Sequence, residues 1–138
     1  MLDNFMNQYW WNKVILLVPK EIAPNMITLV GLVAMILSYF SIAYYTPTFT
    51  EESPKWTYLA NAFGLFFYQT MDAIDGKQAR RTGSAGPLGQ LFDHGCDSIS
   101  TTFICMSIMA STALGSGPQA MALLMFMIVP FFLAQWEE

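Results

Sequence analysis

A chain of 138 residues is long enough for one domain, but 54% of it is hydrophobic and only 12% is charged, with four Trp, eleven Phe and ten Met. Average soluble proteins carry roughly 25% charged residues, so this composition excludes an ordinary soluble domain and directs attention to membrane spans and their sidedness. The net charge of −4 is a poor guide to partners, because six of the ten acids sit in two groups, Glu51 with Glu52 and the set Asp72, Asp75, Asp93 and Asp97. The one basic cluster, Lys77, Arg80 and Arg81, is too small to suggest a nucleic-acid partner.

Residues 2–18 have helical spacing. Leu2, Phe5, Met6, Tyr9, Trp10, Val14 and Leu17 can share one side, with Asn4, Asn7, Gln8 and Lys13 largely elsewhere. Aromatics opposite a polar face predict a helix lying in the membrane interface. The opening "MLDNFMNQYWWNK" lacks the basic stretch and small-residue cleavage site of a secretory signal. "PKEIAPN" breaks the chain, and Pro24 and Asn25 suit the start of a helix. Met26 to Tyr45 is twenty residues without a charge. At about 1.5 Å per residue it spans roughly 30 Å, the hydrocarbon thickness.

After the loop "TPTFTEESPK", a second span is expected over 56–74, with Trp56 and Tyr58 as interfacial anchors. The polar segment 76–87 reads as a loop. A third span is expected over 88–114, "GSGP" as a turn, and a fourth span over 119–136, before Glu137 and Glu138. Four spans put Lys13, Lys20, Lys77, Arg80 and Arg81 on one side, which by the positive-inside rule is the cytosolic side, and only Lys55 on the other. Cys96 and Cys105 fall in an apolar run and read as plain buried thiols. The fold class expected is an all-α integral membrane protein, an interfacial helix followed by about four transmembrane helices.

The acids carry the chemistry. Asp72 and Asp75 are three apart, and share a face if the helix continues through them. Gly89, Asp93 and Asp97 recur every four residues, in one row about a turn inside the third span. Ionisable groups at membrane depth are costly and mark function by default. A hard divalent cation is the simplest neutraliser, and oxygen donors suit Mg²⁺, Mn²⁺ or Ca²⁺. Four carboxylates can hold two ions, which would clamp a phosphoryl group. The alternative is structural pairing with Lys77, Arg80 and Arg81, yet three cations do not cover four acids. Gly76, Ala79, Gly83, Ala85, Gly86 and Gly89 keep the surroundings small. Arg80 suits a phosphate fork and Lys77 a point charge for phosphate, whereas Arg81 is read as a topology determinant alone.

Written out, the stretch is Asp72-x2-Asp75-Gly76-x2-Ala79-Arg80-x8-Gly89-x3-Asp93-x3-Asp97, eight fixed residues across 26 positions. It resembles the CDP-alcohol phosphotransferase family at every position. The flanks "DAIDGKQARRTGSAGPLGQLFDHGCDS" and "IAPNMITLVG" are similar to the eukaryotic choline/ethanolamine branch. The resemblance implies transfer of phosphocholine or phosphoethanolamine from CDP-choline or CDP-ethanolamine to diacylglycerol, with release of CMP. It implies two Mg²⁺ or Mn²⁺ ions on Asp72, Asp75, Asp93 and Asp97, with Gly76, Ala79 and Gly89 leaving room for the nucleotide and Arg80 meeting phosphate. Asn25 matches the family's Pro-Asn start of the first span, near the nucleotide pocket; its other reading is a helix N-cap.

In that branch a histidine at the position of His94 is the proposed base, while elsewhere in the family the last aspartate, here Asp97, has that task. His94 is favoured, because an imidazole of unperturbed pKa ~6.5 suits proton abstraction near neutrality. The resemblance also implies a multi-pass protein of the endoplasmic reticulum or Golgi with a cytosol-facing site, and a homodimer in the full-length form. The family core has about six spans and the eukaryotic branch about ten, so 1–138 is expected to be the N-terminal portion of one such domain. The alternative is an inactive fragment that binds nucleotide or associates with a full-length homologue.

Overall fold

A computed structural model describes residues 6–136, so the expectations for Leu2, Asn4, Phe5, Glu137 and Glu138 lie outside the described residues. All regular structure among the described residues is helical. A π-helical turn, Asn7–Trp11, runs into α1 (Asn12–Leu17). Four longer helices follow: α2 (Pro24–Ala43), α3 (Lys55–Thr82), α4 (Pro87–Ser111) and α5 (Pro118–Trp136).

The helix ends follow from proline and glycine chemistry. Ala23 is extended before Pro24, as a pre-proline residue prefers, and Pro24 opens α2, where its missing N–H costs nothing. The cap position is thus Ala23, without a side-chain cap, and Asn25 lies inside the first turn rather than capping it. Gly86 and Pro87 repeat the arrangement at α4. Helix α3 ends at Gly83, whose φ of 67° is the left-handed conformation that glycine adopts without a Cβ penalty.

Two boundaries correct the sequence reading. Residues 76–82 are helical, not loop, so α3 continues through Asp75, Lys77, Ala79 and Arg80, and only residues 83–86 connect it to α4. Polarity and Gly76 suggest a loop there, but Gln78, Ala79, Arg80 and Arg81 are good helix formers, and the two arginines also complement the C-terminal dipole. At its far end α4 stops at Ser111 rather than Leu114, and the turn beyond it uses positive φ at Ala113 and Gly115.

Helix α2 is the central element and packs along both α3 and α4, which touch each other sparsely. Its close approach to α3 depends on small residues: a Cβ at Gly31 would come 2.8 Å from Met71 Cβ, and one at Gly64 would collide with the Ser38 side chain. One apolar cluster gathers Ile15, Ile27 and Ile74 with Trp11, Val14, Val18 and Met71; another gathers Tyr39, Ile42 and Ala110 with Phe49, Tyr58 and Phe103. The buried stripe of the first segment is therefore Trp11, Val14, Ile15 and Val18, while Leu17 is 83% exposed. The expected face grouped Val14 with Tyr9, Trp10 and Leu17; the wider π turn over Asn7–Trp11 shifts the phase of the residues that follow.

By length and mean hydropathy (2.2), α2 is the described helix that can cross a membrane, and the apolar run Pro118–Leu133 is shorter. Exposed apolar side chains nonetheless surround the bundle, among them Leu37 and Phe40 on α2, Leu59 and Phe63 on α3, Leu91 on α4 and Phe126 on α5. So continuous an apolar exterior matches an apolar solvent better than water.

Candidate functional site

The site lies where the end of α3 meets the beginning of α4. Because α3 stays helical to Thr82, Asp72 and Asp75 sit on one face, three residues apart. The four-residue connection brings α4 back at once, and Asp93 arrives in its second turn. One carboxylate oxygen each from Asp72, Asp75 and Asp93 lie within 4.8 Å of one another. Asp97, a turn further along α4, places its carboxyl group beside that of Asp72. The four acids expected to converge do converge, three tightly and the fourth at the flank.

Asp75 is the most enclosed of the trio at 5% exposure. Its Oδ2 accepts a hydrogen bond of 2.5 Å from the Thr28 hydroxyl of α2. Asp97 Oδ1 accepts one of 2.5 Å from the Tyr68 hydroxyl of α3, and Tyr68 in turn accepts 2.6 Å from Ser100 Oγ of α4. Neither Thr28 nor Tyr68 stands out in the acidic motif. Spacing could have found them, since Tyr68 is four residues before Asp72 and Thr28 is one turn beyond Pro24.

Around this centre, a Cβ at Gly76 would lie 3.9 Å from Arg80 Nη1, so the guanidinium folds back over Gly76. A Cβ at Gly89 would lie 3.9 Å from Asn25 Oδ1, which places the start of α2 against the start of α4. Ala79 is half-buried a turn below Asp75, and His94 is half-buried next to Asp93. Lys77 Nζ donates to Asn12 Oδ1 at 2.9 Å, so it is committed to the N-terminal segment. Cys96 and Cys105 are both buried free thiols, as expected.

Arg81 reaches the N-terminal segment. Its NH1 donates to the carbonyls of Ile15 and Val18, at 2.7 and 3.0 Å, closing the open end of α1. Fully buried Gln78 donates through Nε2 to the carbonyls of Pro19 and Ile22, both at 2.9 Å. The last turns of α3 thus clasp the N-terminal segment, an arrangement that sequence spacing alone does not disclose because the partners are some sixty residues apart.

The donor set is all carboxylate and hydroxyl oxygen, the chemistry of a hard divalent cation. The trio, drawn from two helices with Asp75 buried and Asp72 and Asp93 half-buried, is compact enough to share an ion, so the residues fit the metal that their type suggests.

Residues 21–135 match the family model described as CDP-alcohol phosphatidyltransferase. Cholinephosphotransferase 1 of Xenopus laevis is 50% identical over 131 residues, which cover 94% of this chain and 33% of that protein. A protein of Dictyostelium discoideum named uncharacterized CDP-alcohol phosphatidyltransferase class-I family protein 3 is 45% identical over 139 residues, covering 100% of this chain and 35% of that protein. Cholinephosphotransferase 1 of Saccharomyces cerevisiae is 42% identical over 137 residues, covering 99% and 35%. The chain spans about a third of the length of the curated relatives it matches.

Proposed function

The chain belongs to the CDP-alcohol phosphatidyltransferase family, and from that premise we propose that it transfers phosphocholine or phosphoethanolamine from the CDP-alcohol to diacylglycerol, releasing CMP. The observation that carries the reading is the convergence of Asp72, Asp75 and Asp93 from two helices, inside the eight-residue signature. Relatives bearing the name cholinephosphotransferase make CDP-choline the first donor to offer.

In this reading Asp72, Asp75, Asp93 and Asp97 hold two Mg²⁺ or Mn²⁺ ions. When bound, the ions supply charge neutralisation for the diphosphate and the CMP leaving group. Arg80, folded over Gly76, forks onto phosphate, and Lys77 adds a point charge once it leaves Asn12. Gly76, Ala79 and Gly89 keep the floor low enough for the nucleotide, with Asn25 at its edge. His94 takes the proton of the diacylglycerol hydroxyl as that oxygen bonds to phosphorus and the bond to the CMP oxygen breaks in line. Asp97, already accepting from Tyr68, is the less available base.

The setting follows from the substrates. A soluble nucleotide and a lipid that stays in the bilayer can meet only at the membrane edge. Four spans, one within each of α2, α3, α4 and α5, would place the acids at the cytosolic edge of an endoplasmic reticulum or Golgi membrane. The full-length form is proposed as a homodimer. A second reading, an inactive fragment that binds nucleotide or pairs with a longer homologue, is favoured by the one-third coverage of the relatives.

The test is lipid product formation in membranes that express this chain in a host lacking such enzymes, with diacylglycerol, Mg²⁺ and either CDP-choline or CDP-ethanolamine. Product that disappears in Asp93→Asn supports the enzyme and names the head group. Product that persists in Asp93→Asn overturns the metal-dependent reading. No product from either donor favours the fragment.

A further inference from the structure

We propose that Thr28 and Tyr68 are positioning residues for the divalent-metal site: each holds one oxygen of a carboxylate, Asp75 and Asp97 respectively, and so turns the other oxygen toward the ions. The inference rests on the reading of the aspartates as metal ligands.

Thr28 comes from α2, which contributes no acid to the site. It is 3% exposed. A helical threonine ordinarily returns its hydroxyl proton to the carbonyl four residues back, and that carbonyl, Pro24 O, stands at 3.3 Å. Asp75 Oδ2 is much closer at 2.5 Å. A hydroxyl has one proton to give, and this distance lies in the range of charge-assisted O–H···O⁻ bonds, about 2.5–2.7 Å. The proton therefore goes to the carboxylate.

Tyr68 reaches the same result by another route. Ser100, 1% exposed on α4, donates to the Tyr68 oxygen at 2.6 Å. With its oxygen already accepting, Tyr68 directs its own proton to Asp97 Oδ1 at 2.5 Å. The chain of donors runs Ser100 to Tyr68 to Asp97, and it ends on a carboxylate oxygen. Asp75 is in one helix of the site and Asp97 in the other, so the two hydroxyls fix one carboxylate on each wall. They also tie the site to the packing of three helices, since Thr28 spans α2 to α3 and Tyr68 spans α3 to α4. Partners that orient a metal ligand in this way typically carry 10–100-fold in metal affinity.

The experiment is Mn²⁺ binding to the purified chain in lipid nanodiscs, read by electron paramagnetic resonance, with thermal unfolding without metal measured in parallel. Tyr68→Phe and Thr28→Val keep the shape and remove the hydroxyl. Each is expected to weaken Mn²⁺ binding about 10–100-fold, with little change in metal-free unfolding, while Thr28→Ser restores binding. Ser100→Ala, which removes the donor that orients Tyr68 together with the longer 3.0 Å contact to the Asp97 carbonyl, is expected to give a smaller loss. It also serves as the readout should Tyr68→Phe fail to fold. Binding within twofold of the parent in folded Tyr68→Phe and Thr28→Val, or in Ser100→Ala where Tyr68→Phe does not fold, overturns the inference while leaving the metal site standing. Parent binding that survives Asp75→Asn overturns the metal reading itself, and the two failures are therefore distinct.

Discussion

The two ends of the α3–α4 pair are built on opposite terms. At the site, Asp72, Asp75, Asp93 and Asp97 face one another, hydroxyls from α2 and α3 bind carboxylates across helix boundaries, and Ser100 of α4 donates to the Tyr68 hydroxyl. At the far end the same two helices stand apart around a cavity of about 370 Å³, lined by Met35, Asn61, Leu65, Ile104, Ser107 and Ile108 among others. There Asn61 turns to backbone carbonyls rather than to a carboxylate. Asn61 Nδ2 donates to Ser38 O at 3.0 Å and Thr57 O at 3.1 Å, while Asn61 Oδ1 and Ser107 Oγ are buried without a partner. The difference teaches that the acidic end is tied by hydroxyl-to-carboxylate bonds between helices, whereas the far end relies on apolar contact with α2 and on the amide-to-carbonyl bond from Asn61 to Ser38.

The largest expected effect breaks the comparison at the acidic end. Asp93→Asn removes one ligand oxygen charge, and transfer of the labelled head group should fall more than about 100-fold, since ligand charge is worth several kcal/mol at about 1.4 kcal/mol per decade. The fold should survive, because the acids are not what holds the helices together.

The next effect strikes the packing that both ends share. Gly64→Ala drives a methyl group into Ser38. It should cost about 1–3 kcal/mol by the usual price of overpacking, seen as earlier thermal unfolding in detergent. Activity should fall only in proportion to the folded fraction.

Arg81→Ala acts more locally. Loss of the two hydrogen bonds to Ile15 O and Val18 O, each involving a charged donor and worth about 1.5–3 kcal/mol before solvent screening, should raise hydrogen exchange over residues 12–18 while α2 and α4 stay protected.

Ser107→Ala sharpens the contrast by its smallness. Its hydroxyl is buried without a partner, so removal should leave stability within about 0.5 kcal/mol or raise it slightly. The smallest effect is in the 44–54 loop, where the Thr48 hydroxyl holds the Glu51 carboxyl below its usual range. A depressed carboxyl helps the fold above its ordinary pKa and loses that contribution as pH falls through the lowered value. Thr48→Ala should return the Glu51 titration toward the ordinary value in an NMR pH series, with no change in transfer.

Much of this was legible in the residues. Pro24, Pro87 and Gly83 declare helix ends by their own backbone limits, and Asp72, Asp75, Asp93 and Asp97 declare a shared face by their intervals of three and four. The segment 76–82 was misleading because glycine and charge mark loops on average, while helix propensity and a stop at Gly83 prevail here. The stripe on the first segment was mistaken for a plainer reason: a π turn inserts an extra residue into the period, and residue type does not announce it.

By itself the sequence determined the helices, the acidic motif and hence the oxygen-rich chemistry, because these depend on spacing along the chain and on the intrinsic properties of side chains. Only the tertiary structure decided that Thr28 serves Asp75, that Ser100 and Tyr68 serve Asp97, and that Gln78 and Arg81 hold the N-terminal segment. The bonded pairs are separated by 29 to 66 residues, apart from Ser100 and Asp97 on one helix. A hydrogen bond between distant positions depends on the angle and depth at which helices pack, and these are set by contacts summed over the whole bundle.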